Sequence, residues 1–231
     1  MVATERLAEK IIARLEARAH ALTDVPPRSW LRFRATLEEF FEVIEATEDQ
    51  PYDLEFEEGI ILARMRYATA THELIVANLL TLLGNFYRND TTVGVYGSSR
   101  LVYVPGYERV YNPDVVAVNQ PEAYFPNHDR PLTITNATIV IEVHSNSTEG
   151  YDYAHKLMCY KQLPSVRHIL YISPLKPFVT AFSRTDEPQI WLNADYGKLE
   201  LEIDLGELQL PMREVYRKVV FGESTNAGSA S

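Results

Sequence analysis

Ala137-Thr138-Ile139-Val140-Ile141-Glu142-Val143-His144 is followed, one helix length later, by Arg167-His168-Ile169-Leu170-Tyr171-Ile172. Both are short apolar runs rich in β-branched residues, as in strands buried on two faces. Between them, over about 150–163, Tyr153, Leu157 and Tyr160 recur at helical spacing. The segment 137–172 therefore predicts a strand–helix–strand unit with parallel strands and a right-handed crossover. Asn112-Pro113-Asp114-Val115-Val116-Ala117-Val118 supplies another buried strand. The expected fold is α/β: a mixed central sheet with flanking helices.

The two apolar strands each carry one carboxylate, Asp114 and Glu142, where packing alone would place none. Ionised carboxylates are rarely buried unless paired or bound to metal. They lie 142 − 114 = 28 residues apart on strands that can pair, which suits a hard cation such as Mg²⁺ or Mn²⁺. The helix after Glu142 brings Lys156 back towards the strand ends. Asp, Glu and Lys around a divalent ion are the parts needed to cut a phosphodiester.

Simpler readings exist for each group. Asp114 after Pro113 suits a turn or cap. Glu142 could mark a wet strand end. Asp152 and Lys156 have the i, i+4 spacing of a surface ion pair. Tyr160 shares the helix's apolar stripe and reads as core. His72 and Glu73 could serve only the N-terminus of their helix. A zinc site from His144, Asp152 and His155 matches no common spacing. Cys159, the single cysteine, reads as a core thiol.

Outward from this centre, residues 5–22 form an amphipathic helix candidate with Leu7, Ile11, Leu15 and Leu22 on one stripe, set off by Pro26-Pro27. Thr36-x-x-Glu39 is a capping-box signal for a helix at 37–46. Tyr52–Phe56 and Ile60–Met65 read as a hairpin about a three-residue turn, Glu57-Glu58-Gly59. Its first strand alternates apolar with acidic residues, which predicts one wet face. A long helix is expected at 71–88, a second hairpin at 93–104, and a polar loop at 119–135. Short strands near 178–183, 189–193 and 198–203 would complete the sheet. The expected division is a helical extension and linker at 1–27, one domain at 28–221 and a flexible polar tail at 222–231.

At 231 residues the chain is long enough for one well-buried core. No apolar run approaches a membrane span, the N-terminus lacks the apolar core of a signal peptide, and one cysteine excludes an intrachain disulfide. A cytoplasmic protein that does not engage membranes is expected. The net charge of −10 opposes passive binding to nucleic acid, which depends on neutralising phosphates.

Taken together, Pro113-Asp114, Glu142-Val143 and Asp152-x-x-x-Lys156-x-x-x-Tyr160 resemble the PD-(D/E)XK nuclease superfamily. Within it the stretch Thr36–Ser173 resembles the Uma family of putative restriction endonucleases. The hairpin Tyr52–Met65, the helix start Thr71-His72-Glu73-Leu74-Ile75-Val76, the Pro-Asp strand and the Glu-Val strand ending in Ser145 and Ser147 carry the likeness. The resemblance implies a restriction-endonuclease-like core and Mg²⁺-dependent phosphodiester hydrolysis; DNA is the expected partner, and the chain could act as a homodimer. Asp114, Glu142 and the Val143 carbonyl would be metal ligands, with Glu73 or His72 reaching the ion from a third side. The superfamily pattern places lysine two residues after the glutamate, where this chain has His144. His144 points to the same face as Glu142 and could bind metal or shuttle a proton. Lys156 is the expected substitute, since relatives in the superfamily move this lysine to the next helix. The alternative is a non-catalytic module of the same fold, binding nucleic acid or protein with a vestigial site.

Overall fold

The computed structural model describes residues 2–20, 30–47, 50–66, 68–98, 100–125, 133–143 and 151–221. Helix α1 (Val2–His20) presents Ala8, Ile11 and Leu15 as a buried stripe. Helix α2 (Leu37–Ala46) begins with a complete capping box: the Glu39 N–H donates to the Thr36 hydroxyl, and the Thr36 N–H donates to the Glu39 carboxylate. Strands β2 (Tyr52–Glu57) and β3 (Ile60–Met65) form the expected hairpin. Its turn is shorter than predicted: Glu57 is still paired, leaving Glu58 and Gly59, both at positive φ as a two-residue type I′ turn requires.

With β1 (Leu31–Arg34), β5 (Leu101–Val104), β6 (Arg109–Tyr111) and β8 (Thr133–Ile134), this hairpin builds one sheet in the order β1-β3-β2-β6-β5-β8. Helices α1 and α2 cover one face, where Ile11, Leu15, Phe40 and Phe41 meet Phe33, Leu54, Phe56, Ile61 and Val110. β1, β6 and β8 are too short to show a period in the sequence.

The second sheet contains the predicted strand–helix–strand unit. β9 (Ala137–Val143) and β10 (His168–Ile172) pair in parallel, joined through α4 (Tyr151–Gln162). β7 (Val115–Asn119) lies antiparallel on the other side of β9. β4 (Val93–Gly97), β11 (Val179–Arg184) and β12 (Trp191–Tyr196) complete the order β12-β11-β10-β9-β7-β4. The expected hairpin at 93–104 does not form. β4 pairs with β7, whereas β5 belongs to the first sheet, so these consecutive strands lie in different sheets. The strand expected near 198–203 does not complete the sheet either. It is β13 (Glu202–Leu205), paired only with β14 (Leu208–Pro211).

The β13–β14 hairpin, α3 (Ala70–Phe86) and α5 (Met212–Val215) cover one face of the second sheet. α4 occupies the other face and sits between the two sheets. Cys159, Tyr160 and Leu163 pack with Val102, Val104 and Tyr111 of the first sheet and with Val116, Val140 and Ile169 of the second. The inner faces of both sheets therefore converge on α4. Cys159 is a core thiol, as expected, and accepts hydrogen bonds from Arg109 (2.9 Å) and Tyr111 (3.5 Å).

Candidate active site

Alternation along β9 sends Ile139, Ile141 and Val143 to the α3 side and Val140 to the α4 side. Glu142 shares the face of Val140 and is 5% exposed. The Tyr160 hydroxyl donates to its Oε1 at 2.8 Å, and Lys156 Nζ lies 3.4 Å from the same oxygen. Tyr160 is thus core, as its stripe predicts, and also a hydrogen-bond donor to Glu142.

The other partner of Lys156 comes from the opposite sheet. Along β2, Leu54 and Phe56 enter the α1–α2 core, so Asp53, Glu55 and Glu57 share the reverse face. The prediction that this acidic face is wet fails at Glu55, which is 3% exposed because α4 lies over it. Lys156 Nζ donates to Glu55 Oε1 at 2.6 Å, and the Asn112 N–H donates to the same oxygen at 3.3 Å. One ammonium, itself buried, therefore sits between carboxylates from two sheets. It does not lie along the helix surface.

Asp114 immediately precedes β7, opposite Glu142 in the register that pairs Val115 with Ile141. The Val143 N–H donates to its Oδ2 at 2.6 Å, and His72 Nε2 lies 3.1 Å from its Oδ1. His72 occupies the first turn of α3, where its backbone N–H donates to the Thr69 cap. The imidazole thus does more than serve the helix terminus.

Burial pushes the Glu142 carboxyl up to about 7; Lys156 opposes the rise, and the charges of Asp114 and Glu55 add to it. Burial also raises Glu55, against Lys156. Burial disfavours the Lys156 ammonium, but Glu142 and Glu55 outweigh it and hold the amine above the usual lysine range. Burial likewise works against charged His72, and the bond to Asp114 outweighs it, so the imidazole is raised. With Asp114, Glu55 and Glu142 ionised and one lysine between them, the group carries a formal excess of negative charge. A proton or a cation relieves it.

That donor set fits a hard cation: two carboxylates from adjacent strand ends, with the backbone of Val143 beside them. Among the described residues, no three His, Cys, Asp or Glu side chains form a ready ligand cluster. Backbone and water oxygens would have to complete the shell. Glu73 is not drawn in: its carboxylate is 67% exposed and 3.8 Å from His72 Nδ1. His144 and the Asp152 side chain lie outside the described residues.

The model of a family described as Uma2, putative restriction endonuclease, matches residues 37–213. The chain belongs to the Uma2 family. The matched segment spans α2 to the start of α5 and includes every residue of the group just described. Among curated proteins, an uncharacterized protein of Synechocystis sp., sll1609, is 23% identical over 169 residues, covering 73% of this chain and 93% of its own length. Among solved structures, the crystal structure of a putative nuclease belonging to DUF820 from Anabaena variabilis superposes with a TM-score of 0.61. It is 15% identical and covers 78% of this chain and 97% of that one. The shared fold is of the restriction-endonuclease-like kind. No described helix of this Uma2 chain is long and apolar enough to cross a membrane.

Proposed function

We propose that this Uma2 protein is a metal-dependent endonuclease hydrolysing phosphodiester bonds of DNA. The observation that carries the reading is the buried Glu142–Glu55 pair with the Lys156 amine between its carboxylates, and the half-buried Asp114 beside it at the adjacent strand end. Pure packing has no use for such a group, and leaving it without a cation is costly. Asp114, Glu142 and the Val143 carbonyl would hold Mg²⁺ or Mn²⁺, which would polarise the scissile phosphate and acidify a bound water. The chain's own groups do the rest. Tyr160 fixes one Glu142 oxygen, and His72 with the Val143 N–H fixes both oxygens of Asp114. Lys156 supplies a permanent positive charge where the phosphate gains negative charge on attack.

The test is plasmid cleavage with Mg²⁺ or Mn²⁺ by the parent, Asp114→Asn, Glu142→Gln and Lys156→Met. Cutting by the parent that every variant loses supports the reading; no cutting by the parent with either metal removes it. A second reading, a non-catalytic module with a vestigial site, is favoured by one distance. Lys156 Nζ is closer to Glu55 (2.6 Å) than to Glu142 (3.4 Å).

A further inference from the structure

The first sheet has a second feature that the catalytic group does not use. Its face away from α1 and α2 carries arginines on β1 and at the end of β3, beside Ile60 and the buried Leu62 of β3. In the register that pairs Leu31 with Ala63 and Arg34 with Ile60, the side chains of Trp30, Arg32, Arg34, Arg64 and Arg66 share that face. Arg32, Arg34 and Arg66 are exposed and Arg64 is half-buried. Arg64 and Arg66 are each fixed 3.0 Å from one oxygen of Asp53, and Arg64 stacks on the Trp30 ring at 4.3 Å. Arg32 and Arg34 form no ion pair with any described residue. Across the whole face these four arginines meet three carboxylates of β2, Asp53, Glu55 and Glu57, so the positive charge gathers at the β1–β3 edge, where Asp53 alone is paired with Arg64 and Arg66, on a chain of net charge −10.

The row leads directly to the candidate site. β2, carrying Glu55, is the next strand after β3, and Arg64 acts electrostatically on Glu55, His72 and Lys156. Arginines at every second position stand about 6.6 Å apart along the strand. Guanidinium forks suit phosphate oxygens. An isolated positive strip beside an acidic pocket is the arrangement that lets an acidic protein hold a polyanion.

We propose that the β1–β3 face, through Arg32, Arg34, Arg64 and Arg66, is the surface on which the sugar-phosphate backbone of duplex DNA docks before one phosphodiester enters the Asp114–Glu142 site. This rests on the nuclease reading for its orientation, not for its charge. Arg64 and Arg66, held on Asp53, supply fixed phosphate contacts nearest the site. Arg32 and Arg34 extend the track outward.

The experiment is fluorescence anisotropy of a labelled 24-base-pair DNA duplex with the full chain in EDTA, over about 50 to 200 mM salt. The Arg32→Ser/Arg34→Ser variant should bind about tenfold more weakly per lost contact near 0.1 M salt. Its log–log salt slope should fall by about 1.8, from about 0.9 per phosphate contact. Arg32→Lys/Arg34→Lys should recover most of the affinity. Arg213→Ser/Arg217→Ser removes the same charge from exposed residues on the far side of the second sheet and should stay within twofold of the parent. An RNA duplex of the same sequence forms the second arm and shows whether the track prefers DNA. Equal binding by parent and Arg32→Ser/Arg34→Ser, an equal loss in the Arg213/Arg217 control, stronger binding of the RNA duplex, or no binding by the parent at low salt overturns the proposal. Arginine-dependent DNA binding without cutting would refute the catalytic reading and leave this surface standing. Cutting unaffected by loss of the arginines would do the reverse.

Discussion

Replacing Lys156 with Met keeps the length of the side chain and removes its charge. The amine is buried and serves both Glu55 (2.6 Å) and Glu142 (3.4 Å), so its loss leaves two buried carboxylates without their cation. Breaking a buried pair by deleting one partner costs about 3–5 kcal/mol, a large share of the about 5–15 kcal/mol that stabilises a typical native protein. The cost should depend on pH. Without Lys156, the folded-state pKa values of Glu55 and Glu142 rise further above the unfolded value of about 4.3. The folded state then holds protons that the unfolded state releases. Stability is fully recovered below about pH 4.3 and is lost as pH rises through the folded values, by up to about 1.4 kcal/mol per pH unit for each carboxylate. Urea unfolding in EDTA, followed by circular dichroism at pH 5 and pH 8, measures this directly. The variant should lose about 3–5 kcal/mol at pH 8 and less than half of that at pH 5. Adding Glu55→Gln should return part of the loss at pH 8, because one orphaned charge is gone. A loss below about 1 kcal/mol, or one of equal size at both pH values, would refute the argument that Lys156 is the countercharge of this group.

Three further outcomes follow from the same geometry. In the metal-free parent, the raised Glu142 carboxyl contributes stability that is present below about pH 4.5 and lost as pH climbs to about 7; Glu142→Gln should flatten the stability–pH profile across that window. Millimolar Mg²⁺ or Mn²⁺ should raise the melting temperature, by about 2.7 kcal/mol of stability when the ion is at 100 times its Kd, and Asp114→Asn should abolish the shift; a parent with no shift would count against a metal site. Leu15→Ala, in the buried stripe of α1, should cost about 2–5 kcal/mol in urea unfolding without altering any metal-induced shift, because α1 packs on the face of the first sheet opposite Glu55.

Local patterns with their own physical cause were legible in the sequence. The capping box set α2 at residues 37–46, helical periodicity located α1, α3 and α4, and the apolar runs located β7, β9 and β10 with the parallel pairing of the last two. Asp114, Glu142 and Lys156 stood out because a charge in an apolar run demands a partner. Glu55 did not stand out. Alternating apolar and acidic residues read the same whether the acidic face meets water or a lysine, and its partner lies 101 residues further along the chain. Pairing across that distance is decided only when two sheets close on α4. The same limit explains β4 and β5: adjacent strand signals look like a hairpin, but whether neighbouring strands pair depends on which edges tertiary packing leaves open. The arginines of β1 and β3 were visible as letters from the outset. That they share one face and run up to the strand carrying Glu55 is a property of register, which hydrogen bonding between strands fixes and composition does not.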